Sequence, residues 1–116
     1  MAGWSTDGPI GVDIEYHRNR DFAKLIESWF NPDEYQEFLS LKKSQKEDWF
    51  YRCWTRKEAN CKATGEDLSL AALASKADAI ENNVHTVHLP DYTASIVHHS
   101  PINPTIFQGH FGNLGI

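Results

Sequence analysis

Four residues stand at spacings suited to binding a cation and the phosphates it would neutralise: Asp13, Glu15, Glu58 and Lys62. The first two lie in the alternating run Ile10-Gly11-Val12-Asp13-Ile14-Glu15. Successive strand side chains point to opposite faces, so both carboxylates share one face, their origins roughly 7 Å apart. Ile10, Val12 and Ile14 share the other. Acidic residues are poor strand formers, and two on one short strand suit a task such as holding a hard cation through oxygen. The competing interpretation is an amphipathic edge strand with its polar face in water.

Glu58 and Lys62 belong to Trp-Phe-Tyr-Arg-Cys-Trp-Thr-Arg-Lys-Glu-Ala-Asn-Cys-Lys-Ala-Thr-Gly, residues 49–65. At helical spacing Phe50, Cys53, Trp54 and Cys61 form one apolar stripe, and Glu58 falls within it, one turn past Trp54. A carboxylate so placed needs a cation or donors, because uncompensated burial of charge costs on the order of several kcal/mol. Lys62 follows at i+4, the order in which Glu and Lys meet on a helix. A plain half-exposed ion pair beside the stripe would satisfy the same pattern.

Several elements must position these groups. Asp21 can cap a helix containing Phe22, Leu25, Ile26 and Trp29. Asn31-Pro32-Asp33-Glu34 reads as a second helix start, with Asn31 at the N-cap, Pro32 at the first helical position and Glu34 closing a capping box. That helix is expected to bury Tyr35, Phe38, Leu39 and Leu41. Ser44 with Glu47 offers a capping box for the long helix, which ends near Thr64 with Gly65 as its left-handed cap. Residues 68–73 suit a strand or short turn, and 71–80 are ambiguous because alanine favours helix. Residues 84–89 and 92–98 read as two strands joined by a Pro90-Asp91 turn.

Together these predict an α+β fold, a small antiparallel sheet packed against a long helix and shorter helices. Residues 1–7 read as a boundary segment, 8–99 as the domain, and 100–116, with Pro101, Pro104, Gly109, Gly112 and Gly115, as a loop-like tail.

Composition narrows the partners. A net charge of −5 over 116 residues argues against nucleic acid, whose phosphates call for a basic surface. There is no apolar run of about twenty residues to span a membrane, and no signal-peptide pattern at the start. Cys53 and Cys61, eight residues apart on one helix, are about 12 Å apart along its axis and cannot pair within it. Free thiols imply a reducing, cytoplasmic setting. His17-Arg18-Asn19-Arg20 reads as a solvated turn whose cations could meet ligand phosphates, and Lys42, Lys43 and Lys46 as a basic junction that serves solubility first and could alternatively face an acidic protein.

Gly11-Val12-Asp13-Ile14-Glu15, followed by Trp54-Thr55-Arg56-Lys57-Glu58-Ala59 and Lys62-Ala63-Thr64-Gly65, resembles the 4′-phosphopantetheinyl transferase superfamily. The Asp-Ile-Glu form is similar to the surfactin-synthetase-activating type, over about residues 8–98. The resemblance implies Mg²⁺-dependent transfer of 4′-phosphopantetheine from coenzyme A to a serine of an acyl or peptidyl carrier protein, releasing adenosine 3′,5′-bisphosphate. It places Asp13, Glu15 and Glu58 on Mg²⁺ and Lys62 on phosphate and the leaving group. Glu58 would take the serine proton, and Lys57 would make a structural or phosphate contact.

Enzymes of that type resemble two fused copies of one domain with the active site between them, and this chain resembles only the second copy. A Ser-His motif and basic residues for the nucleotide end of coenzyme A, expected upstream, are not in this sequence. The expectation is therefore a homo-oligomer or the partner of a missing N-terminal half. The alternative is a non-catalytic half-domain that binds a carrier or partner domain.

Overall fold

The computed structural model describes residues 2–5, 8–80 and 83–98. Local signals set the helix boundaries. Asp21 caps α1 (Phe22–Trp29), its Oδ1 accepting from the Lys24 backbone N–H at 3.2 Å. Asn31 caps α2 (Pro32–Ser40) in a reciprocal box: Asn31 Oδ1 accepts from the Asp33 N–H at 2.9 Å, and Glu34 Oε1 accepts from the Asn31 N–H at 3.3 Å. The long helix α3 (Lys43–Thr64) stops at Gly65, whose φ of 76° is the left-handed conformation open to glycine. It starts earlier than a Ser44–Glu47 box would place it. Lys42 takes the N-cap, and its N–H donates to Gln45 Oε1 at 3.2 Å. The strand or short turn expected over 68–73 is not formed: that stretch enters α4 (Leu70–Ala74), capped by Ser69, and the ambiguous residues up to 80 add a 3₁₀ turn (Ala77–Ala79), in keeping with the helix preference of alanine.

Strands β1 (Ala2–Ser5), β2 (Gly8–Tyr16), β3 (Asn83–His88) and β4 (Tyr92–His98) form one antiparallel sheet in the order β1-β2-β4-β3. Leu89 and Tyr92 exchange backbone hydrogen bonds of 2.8 and 3.4 Å around Pro90 and Asp91, the expected turn. Residues 2–5, within the segment read as a boundary, form a strand paired with β2. In consequence β2 is an internal strand, not an edge. The loop-like tail expected over 100–116 lies outside the described residues.

Helix α3 is the centre of the packing, and it is covered on two sides rather than along one stripe. On one side Trp49, Phe50, Tyr51 and Cys53 join Ile26, Phe30, Phe38, Leu73 and Ala77 from the surrounding helices in the main core. On the other, Ala59 and Ala63 pack on Val97 of β4. Trp54 is only half-buried, while Cys53 and Cys61 are buried free thiols. Phe38 is buried as expected, but Leu39 is 47% exposed, because α2 turns only its Phe38 side towards the core.

The two faces of β2 lie opposite to the common arrangement. Its Gly11, Asp13 and Glu15 side meets α3, and its Ile10 and Val12 side packs with Val87, Ala94 and Ile96 on the far face of the sheet. The acidic face is therefore the covered one. Among the described residues no helix is long and apolar enough to cross a membrane.

Candidate active site

Asp13 and Glu15 come from neighbouring inward positions of β2, and Glu58 from the turn of α3 lying over them. One carboxylate oxygen from each lies within 4.8 Å of the other two. Asp13 is the anchor, only 4% exposed. Its Oδ1 accepts from Lys62 Nζ at 2.9 Å, and its buried Oδ2 has no hydrogen-bond donor among the described residues. The expected Glu58–Lys62 ion pair is present at 3.8 Å, longer than the contact Lys62 makes to Asp13. Lys62 is thus shared between two acids, and neither it nor Glu58 is spent on a simple surface pair.

The orientation of α3 over this site is fixed by polar contacts that spacing rules did not reveal. Thr55 Oγ1 lies 2.7 Å from Ser95 Oγ, which lies 2.9 Å from Thr86 Oγ1, and Arg56 Nε donates to that same hydroxyl at 2.6 Å. Further along, Thr93 Oγ1 is within 2.7 Å of His17 Nε2 and 3.0 Å of His88 Nδ1. The contacts of Thr55, Arg56 and His17 reach residues 30 to 76 positions away, and those of Thr86 and His88 cross the β3–β4 hairpin; their common signal is the pair of small hydroxyls Thr93 and Ser95 facing inward on β4. Trp54, read beforehand as part of the apolar stripe, turns its Nε1–H towards Glu15 Oε1 at 3.3 Å.

The electrostatics are those of acids crowded together. Burial, and then the neighbouring Asp13, push Glu58 up to about 7 from the ordinary 4.5. Glu15 is raised for the same two reasons, opposed by the Trp54 hydrogen bond and by Arg20. Such a cluster is relieved by a cation. The donor set, three carboxylates around an orphaned buried oxygen, fits a hard divalent ion such as Mg²⁺, which takes oxygen ligands at about 2.0–2.1 Å and keeps room for phosphate and water.

A carboxyl whose folded pKa is raised contributes stability that is fully present below its unfolded value, near 4.5, and lost as pH rises through about 7. In EDTA, the wild-type chain should lose urea stability between pH 5 and pH 8 relative to Glu58→Gln, and Mg²⁺ should reverse that loss. Parallel stability curves for the two proteins would reject the crowding.

Lys57 is not part of this cluster. It lies on the opposite side of α3 with its side chain 2% exposed, and its Nζ donates to Glu34 Oε1 and to the Leu73 carbonyl, both at 2.6 Å. The same nitrogen sits 3.6 Å from the centroid of the Phe30 ring. Of the structural and phosphate contacts expected for it, these placements support the structural one. The His17–Arg20 turn flanks the site. Tyr51 Oη accepts from the Arg18 N–H at 2.8 Å, and Arg18, Asn19, Arg20, Asp21, Lys24 and Leu25 line an open cleft of about 490 Å³.

The α+β domain thus gathers three carboxylates and a lysine between its central strand and its long helix, an acidic site of the kind a hard cation relieves. Residues 9–106 match the 4′-phosphopantetheinyl transferase superfamily. The chain belongs to that superfamily. It is 36% identical over 97 residues to the 4′-phosphopantetheinyl transferase psf-1 of Bacillus pumilus, a match covering 84% of this chain and 41% of that protein. With the 4′-phosphopantetheinyl transferase ffp of Bacillus subtilis it shares 34% identity over 101 residues, 87% of this chain and 42% of the relative. The 4′-phosphopantetheinyl transferase HetI of a Nostoc species is 44% identical over 61 residues, 52% of this chain and 26% of that protein. The chain thus spans well under half the length of the curated relatives it matches.

Proposed function

We propose that this chain carries the metal and phosphate half of a 4′-phosphopantetheinyl transferase, an enzyme that moves 4′-phosphopantetheine from coenzyme A to a serine of an acyl or peptidyl carrier protein. The observation that supports this most directly is Asp13, buried, clustered with Glu15 and Glu58, and with an Oδ2 to which no described residue donates, while Lys62 stands beside it. Asp13, Glu15 and Glu58 would hold Mg²⁺. An ion held there would supply neutralisation of charge on the pyrophosphate oxygens and help to orient the phosphoryl group.

The remaining chemistry belongs to the chain's own side chains and the substrates. Glu58, directly or through a water, accepts the serine proton as the serine oxygen attacks the phosphorus bearing the pantetheine arm. The bond from that phosphorus to the bridging oxygen breaks, and adenosine 3′,5′-bisphosphate leaves. Lys62 contacts the phosphate and donates a proton to the departing oxygen. The setting implied by two free buried thiols is cytoplasmic.

The test is incubation of the full chain with an apo carrier protein, coenzyme A and Mg²⁺, read as the mass of the carrier. Addition of the arm's mass by the wild type and its loss in Asp13→Asn is the expected result. Undiminished transfer by both Asp13→Asn and Glu58→Gln would remove the proposed site. The second reading, an incomplete half that binds a carrier or partner domain, is favoured by the 41–42% coverage of the two Bacillus relatives. It predicts no transfer by the chain alone and transfer once the upstream part of a relative is supplied. A homo-oligomer that completes its own site would instead show a solution mass raised by coenzyme A and Mg²⁺ together.

A further inference from the structure

Helix α3 and strand β2 run past each other in step. Trp54, Glu58 and Lys62 recur every four residues, about 6 Å along the helix, close to the roughly 6.8 Å between alternate strand residues. Lys62 meets Asp13, Glu58 stands over the acidic cluster, and the Trp54 indole N–H donates to Glu15 Oε1 at 3.3 Å. Among the described residues no other N–H or hydroxyl group donates to the Glu15 carboxylate. The indole is itself held, half-buried and stacked on Phe50 with ring centroids 6.0 Å apart and planes 22° from parallel. An indole N–H can only donate, so its partner is best served as an ionised carboxylate. A glutamate has three side-chain torsions, and a single fixed donor on one oxygen restricts all of them.

We propose that Trp54 is the positioning residue of the carboxylate cluster. Its N–H holds Glu15 facing Asp13 and Glu58, leaving the second Glu15 oxygen free for the cation, and its ring stands close enough to register the cation's arrival. The inference rests on the reading of the cluster as a cation site. It goes further by assigning the pose of one ligand to a residue that touches neither metal nor substrate.

The test uses the full chain, with Mn²⁺ binding followed by electron paramagnetic resonance and Mg²⁺ binding by tryptophan emission. Trp54→Phe keeps a ring against Phe50 and removes the N–H. Its Mn²⁺ dissociation constant should rise about tenfold or more, the usual cost of removing a hydrogen-bond partner behind a metal ligand. The Mg²⁺-induced emission change of the wild type should also be lost in this variant. Asp13→Asn should abolish Mn²⁺ binding outright. Affinity in Trp54→Phe within twofold of wild type, while Asp13→Asn still abolishes binding, would overturn the role of Trp54 alone. No Mn²⁺ binding by the wild type would overturn the cation site and this inference with it. If Trp54→Phe fails to fold, Glu15→Leu removes the acceptor at the other end of the same bond: an emission spectrum shifted from that of the wild type is expected, and an unchanged spectrum overturns the proposal.

Discussion

Lys57→Met should destabilise the domain by about 3–5 kcal/mol, the range for removing one partner of a buried ion pair. The substitution keeps most of the stem and deletes the ammonium that Glu34 Oε1 and the Leu73 carbonyl both face at 2.6 Å. Glu34, 5% exposed, would keep its bonds from the Asn31 and Ala77 backbone N–H groups, at 3.3 and 3.0 Å, but would lose its countercharge. The contact spans a large part of the fold. Phe30 closes α1, Glu34 opens α2, Leu73 lies in α4, Ala77 begins the 3₁₀ turn, and Lys57 ties all four to α3.

Burial already opposes the charge on Lys57 and lowers its pKa, with Glu34 acting in the other direction. The pair is therefore costly to form and costlier to break. Glu34→Met/Lys57→Met should recover most of the loss, since two apolar side chains of similar volume need no countercharge. A deficit of about 1–3 kcal/mol should remain, because the Ala77 and Asn31 N–H groups and the Leu73 carbonyl lose their side-chain partners. Urea denaturation of the two variants decides this. A double variant no more stable than Lys57→Met alone would show that packing, not charge, is what the pair supplies.

The contrast between this pair and the helix caps shows what could be read from sequence. Asp21, Asn31 and Gly65 act on backbone groups within three or four residues, so their identity and offset are enough to place a helix end. Glu34 also fits its local role, closing the capping box, and that local fit concealed its second partner 23 residues away. The pairing of Asp13 with Glu15 was legible because strand alternation fixes which residues share a face. Which face is covered is decided by the partner element. Here the answer depended on α3 presenting a tryptophan, a glutamate and a lysine at one helical interval.

The expectation of a single apolar stripe failed on α3 for a related reason. A helix covered on both sides buries residues all round, and Thr55 and Lys57 are buried because their polar atoms are satisfied by β4 and by Glu34. Strand β1 was missed because four residues including a glycine have little strand preference of their own, and its identity comes from pairing with β2. The Thr55–Ser95–Thr86–Arg56 contacts cross between three elements, and no spacing rule reaches them.

Gly11→Ala should also be strongly disruptive, through a different link in the chain from sequence to site. A Cβ at position 11 would stand 1.8 Å from the Ala59 carbonyl oxygen and 2.5 Å from the Ala63 nitrogen. Both are backbone atoms of α3, so no rotamer change can make room and the helix itself must move away from β2. Overpacking of this kind costs about 1–3 kcal/mol, and a rigid helix with both faces packed leaves little scope for relaxation. The consequence for the site is more specific than the loss of stability. Trp54, Glu58 and Lys62 travel with α3, whereas Asp13 and Glu15 stay with β2, so any widening separates the two halves of the cluster. Gly11→Ala should therefore weaken Mn²⁺ binding even at temperatures where the chain remains folded. Gly65→Ala provides the control, because a Cβ there meets nothing within 4 Å and the cost is confined to the left-handed φ of 76°, about 1–2 kcal/mol. It should lower the urea midpoint while leaving the Mn²⁺ affinity of the folded chain unchanged. Equal affinities in the two variants would mean that close approach of α3 to β2 does not set the geometry of the carboxylates.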